Sequence, residues 1–191
     1  MAPDPEDPRL STQVDGVDHN GQPITAAVVR ERAITLYLNS QEIVTVMTIG
    51  DFPDLLAVGY LVNQHMLLPD DEITDIDYDE ELEVVVVRTV RETDYEEKLK
   101  KKVRTSGCAQ GTVFGDVMDE IEQVELPTGG ELRTSWLGHL TKAINTTPSL
   151  YLAAGAIHGC VLCQQDKPPT PFRRIQPAIL STALWRPTSS I

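Results

Sequence analysis

The sequence predicts an α/β fold of the α+β kind, on three observations. Two alternating, β-branched segments, "AITLYLN" and "QEIVTVMTI", stand one tight turn apart. A run with helical spacing, "GDFPDLLAVGYLVNQHML", follows them directly. "LEVVVVRTV" then has the length and β-branching of a buried strand.

Taken in order, residues 1 to about 22 are rich in Pro, Asp and Gly with few large apolar side chains, which predicts disorder. A β-rich α/β part is expected over 23–104. Its hairpin turns at Asn39-Ser40-Gln41. In the helix that follows, Asp51 can cap and Pro53 suits an early position. Leu55, Leu56, Val58, Gly59, Leu61 and Val62 make its apolar face. The acidic "PDDEITDIDYDEE" reads as a turn and a solvated edge, because charge runs face water.

A second part is expected over 105–165. After Cys108, Val113, Phe114, Val117, Met118, Ile121 and Val124 recur at helical spacing and predict an amphipathic helix. "TSWLGHLTKAI" predicts another. "SLYLAAGAIHGCVLCQ", apolar and interrupted by glycine, reads as a buried helix or strand. Residues 166–191 are expected to be irregular. The last 28 residues carry four basic against one acidic residue and five prolines, whereas residues 1–163 sum to about -16. That reversal, with the loss of periodicity, suggests a foreign or frameshifted tail.

The net charge of -13 argues against nucleic-acid binding, which needs clustered Lys and Arg on phosphates. No stretch approaches the roughly 20 apolar residues of a membrane span. The start, "MAPDPEDPRLST", has neither a basic nor an apolar signal region, so a cytoplasmic protein is expected. Three cysteines, an odd number, do not make a disulfide framework and point to metal binding, catalysis or burial.

Cys108, in "RTSGCAQGTVFG", is the first candidate for chemistry. A thiol reacts as its thiolate and needs a lowered pKa and access. Lys100, Lys101, Lys102 and Arg104 lie just upstream, and the start of a following helix would add partial positive charge. The basic run could equally steer an anionic ligand or simply be solvated. Gly107 and Gly111 would let the loop move and a bulky partner approach. A small buried hydrophobe is the alternative for such a cysteine.

His158, Cys160 and Cys163 form "HGCVLC", which invites a zinc reading. Zinc deaminases also need an H-x-E element, and none of the four histidines has Glu two residues on. A thioredoxin-like pair would want a βαβ frame, which is not evident. Close apolar packing is the plainer reading of this segment. His158 could instead serve Cys108 as base or positive neighbour, or be a satisfied core histidine.

"ITLYLNSQEIVTVMTIGDFPDLLAVGYLV", "TSGCAQGTVFGDVM" and "AAGAIHGCVLC", in this order over roughly residues 25–165, resemble the FdhD family of formate dehydrogenase accessory sulfurtransferases, or sulfur carrier proteins. The resemblance implies a cytidine deaminase-like core without catalytic zinc, behind an N-terminal β-rich subdomain; residues 105–165 would be a partial deaminase-like part. It implies Cys108 as a persulfide carrier, loaded by a cysteine desulfurase. The sulfur would pass to the molybdenum cofactor, bis(molybdopterin guanine dinucleotide), a transient ligand, before insertion into formate dehydrogenase. No resident metal or cofactor is implied; a homodimer is compatible with this reading. Two departures stand out. Gly111 takes the place where many members carry a second loop cysteine, and "PFRRIQPAIL" replaces the family's onward segment. The cofactor-binding residues therefore cannot be carried over, and the chain is expected to be inactive if it is truncated. A non-covalent binding or chaperone module for a molybdoenzyme or its cofactor is the rival reading; a metal-binding protein built on His158, Cys160 and Cys163 is a third.

Overall fold

The computed structural model describes residues 3–68, 70–91, 102–104, 112–114, 130–155, 157, 161 and 163–167. The chain divides into two compact units. One holds the chain through Glu31 with the described residues from Gly130 on; the other holds the described residues from Arg32 to Phe114.

The first unit opens with strands β1 (Ser11–Val17) and β2 (Pro23–Val29), paired antiparallel from Ser11↔Val29 to Val17↔Pro23. The disorder expected for residues 1 to about 22 is thus corrected over Ser11–Val17. A turn provides the physical reason. Asp18 Oδ1 accepts from the backbone N–H of Asn20 and of Gln22, both at 2.8 Å, and Gly21 supplies the left-handed residue at φ 76°. The bond from Gln22, then that from Asn20, holds the Asp18 carboxyl below its ordinary value. Because β2 pairs with β1, residues 23–29 belong with the N-terminus rather than with the 23–104 part expected from sequence.

Helices α2 (Thr134–Thr146) and α3 (Leu150–Ala154) complete this unit. Ser149 caps α3 by accepting from Leu152 N–H at 3.4 Å, and Gly155, at φ 63°, ends it. Leu10 and Leu150 are the buried apolar side chains among this unit's described residues. Burial expected across "SLYLAAGAIHGCVLCQ" fails at Tyr151 and Leu152, which stay 45% and 49% exposed. Five residues make under one and a half helical turns, so α3 covers little more than one side chain against β2.

The second unit is built on a four-stranded sheet. Strands β3 (Arg32–Leu38) and β4 (Gln41–Thr48) form the expected hairpin, and Asn39 takes φ 54° in its turn. Ile34, Leu36 and Leu38 alternate onto the core face of β3. In β4 the buried pair Ile43 and Val44 marks a bulge, where the register shifts between Leu36 and Tyr37. Strand β6 (Val84–Thr89) lies parallel to β3 and buries Val85 and Val87 completely. Strand β5 (Ile73–Asp79) pairs antiparallel with β6 at the sheet edge. The acidic segment is therefore a strand where the sequence suggested a turn, though its aspartates do occupy a solvated edge. Charged edge strands discourage pairing with another sheet.

Helix α1 (Pro53–Asn63) packs against β6 and β5, burying Leu56, Ala57, Val58 and Leu61. Pro53 opens the helix as expected, but the cap position belongs to Phe52 and carries no side-chain bond. Asp51 lies one residue earlier and half-buried. Loss of hydration pushes its carboxyl up to about 6, against the opposing bonds from its own and Phe52's N–H.

A raised carboxyl favours the folded state while it stays protonated, and that contribution is lost as pH climbs through the folded pKa. Asp51→Asn is therefore expected to gain on the native chain as pH rises from about 4 through the raised pKa of about 6. After discounting for partial exposure, the gain is on the order of 1 kcal/mol between about pH 4 and about pH 7. Urea unfolding of both chains at the two pH values measures it; a constant difference would show that Asp51 is hydrated.

Candidate functional site

Beyond Arg91 the chain is next described in strand β7 (Lys102–Arg104), which pairs antiparallel with β8 (Thr112–Phe114). The register is Lys102↔Phe114, Val103↔Val113 and Arg104↔Thr112. Antiparallel pairing sets Arg104 opposite Thr112, and Cys108 is the middle residue, in sequence, of the seven between them. Gly107, Cys108 and Gly111 themselves lie outside the described residues, as do Lys100, Lys101, His158 and Cys160.

Two expectations change here. Val113 and Phe114, expected to begin an amphipathic helix, are in β8. Thr112, Val113 and Phe114 are β-branched or aromatic, types that suit a strand, and pairing with β7 overrides the helical spacing. Val117, Met118, Ile121 and Val124 lie outside the described residues. The pairing of β7 with β8 also crosses the boundary drawn at 104/105, so Lys102 to Phe114 fall within a single unit.

Cys163 is the cysteine whose surroundings are described. It is half-buried, and its thiol donates to Val161 O at 3.6 Å. Burial pushes this thiol up, away from the thiolate that nucleophilic sulfur chemistry needs. Nearby, Gln164 and Lys167 form a bridge across a tight turn, and Asp166 Oδ2 stands 3.9 Å from His139 Nδ1. No group of three His, Cys, Asp or Glu side chains among the described residues could hold a metal ion. His158 and Cys160, on which the zinc reading depends, are not among them.

Sequence reasoning missed a network at the end of β6. Asn39 accepts from Thr89 N–H at 2.9 Å, while its own amide donates to Thr89 Oγ1 at 3.2 Å and to Arg91 O at 3.4 Å. The Arg91 guanidinium pairs with the largely buried carboxylate of Asp71 and reaches Met66 O at 3.4 Å. Leu68 N–H donates to the same carboxylate at 2.8 Å. These bonds tie the end of β6 to the β3–β4 turn and to the 66–71 segment. Asn39 was legible as a turn residue, but nothing local announced a partner 50 positions away.

The family model described as the FdhD/NarQ family matches residues 29–173, well over half of the chain. The chain belongs to the FdhD/NarQ family. The FdhD/NarQ match takes in Cys108, both flanking glycines and the "HGCVLC" segment, and it starts at the last residue of β2.

Among curated FdhD/NarQ relatives, the chain is similar to the sulfur carrier protein FdhD of Bacillus pumilus, 24% identical over 150 residues. That alignment spans 75% of this chain and 55% of the relative. The protein of the same name from Wolinella succinogenes is 23% identical over 143 residues, 73% of this chain and 49% of the relative. The chain thus spans about half the length of these relatives. A crystal structure from Desulfotalea psychrophila, provisionally described as a formate dehydrogenase accessory protein, matches with a TM-score of 0.54 at 16% identity. It covers 83% of this chain and 59% of that one. At that identity the likeness shows the fold, a mixed α/β arrangement in agreement with the fold class expected from sequence. Among the described residues no helix is long and apolar enough to cross a membrane.

Proposed function

We propose that this chain is a sulfur carrier whose working atom is the sulfur of Cys108. A cysteine desulfurase presents a persulfide; the Cys108 thiolate attacks its outer sulfur. The new sulfur–sulfur bond forms on Cys108 as the desulfurase cysteine leaves as a thiolate. The carried sulfur is destined for the molybdenum cofactor, bis(molybdopterin guanine dinucleotide), before that cofactor enters formate dehydrogenase. Only a thiol can take up and release sulfur in this way; serine in the same loop could not.

The observation that carries the reading is the family match across Cys108, together with relatives named sulfur carrier proteins. Burial pushes the Cys163 thiol up, which counts against Cys163 as the nucleophile. Gly107 and Gly111 would let a partner's cysteine approach, and Lys102 and Arg104 would attract an anionic cofactor. His158 would act as base or positive neighbour to the thiol. With Gly111 in place of a second loop cysteine, loading proceeds on one thiol, with no disulfide formed inside the loop. A cytidine deaminase-like core and a cytoplasmic setting go with this reading, and a homodimer is compatible with it.

Incubation with a cysteine desulfurase and free cysteine is expected to add the mass of one sulfur atom to the intact chain. The addition should vanish on thiol reduction. An unchanged mass, with the desulfurase shown to be turning over, would defeat the sulfur-carrier reading and leave a non-covalent binding role.

A further inference from the structure

No further inference is drawn: the strongest candidate, the apolar face that the β1–β2 hairpin presents through Val14, Ile24 and Val28, is exposed, and nothing among the described residues shows what covers it.

Discussion

Cys108→Ser is expected to abolish sulfur loading, while Cys160→Ser and Cys163→Ser leave it in place. The expected effect is complete loss, because the hydroxyl of serine cannot form a stable bond to transferred sulfur at the oxidation level of a persulfide. Loading also depends on the thiolate fraction, and burial works against that fraction at Cys163, whose hydrogen is already directed at Val161 O. The measurement is intact mass after exposure to desulfurase and cysteine, followed by peptide mapping without reductant. An adduct that persists in Cys108→Ser would move the site to another cysteine. Equal loss in all three variants would instead point to shared metal or structural dependence.

Leu36→Ala is the stability change with the largest expected effect. Leu36 is 1% exposed on β3, which has strands on both sides, and its register partner on β6 is the fully buried Val85. Removing a buried leucine side chain loses its transfer free energy and leaves a cavity, together costing about 2–5 kcal/mol. That is a large share of the roughly 5–15 kcal/mol by which a domain is stable. Leu82→Ala provides the contrast. Leu82 is 71% exposed in the turn before β6, and truncating it should change stability by no more than about 0.5 kcal/mol. Urea unfolding of both variants decides the matter; similar costs at the two positions would mean that β3 is not the centre of this sheet.

Much of the second unit was legible because its signals are local. "AITLYLN" and "QEIVTVMTI" alternate across one turn, and the structure pairs them as β3 and β4. Pro53 and the apolar spacing after it announced α1, and four consecutive valines announced β6. Each of these elements satisfies its own pattern within a window of about ten residues.

Other elements were hidden by competing physics. Ser11–Val17 has too few large apolar residues to look ordered, yet the Asp18 turn and pairing with β2 hold it as a strand. Ile73–Asp79 reads as solvated charge because an edge strand can be both. Val113 and Phe114 fit a helical period and a strand equally well over so short a stretch, and only the partner strand decides. In the candidate site, the choice of Cys108 came from residue type, its glycine neighbours and the family likeness; its pairing frame came from the structure.

The sequence by itself determined the residue types on which the proposed chemistry rests, the position of the Cys108 thiol between two glycines, and the strands and helix whose periods are complete within a few turns. Tertiary structure alone decided that β6 lies parallel to β3, that Asp51 is half-buried, and that Asn39 ties the hairpin turn to Thr89. Those outcomes join groups tens of residues apart. Whether such groups meet depends on the entropy of closing the chain between them against the area they bury together, and no local window contains either quantity.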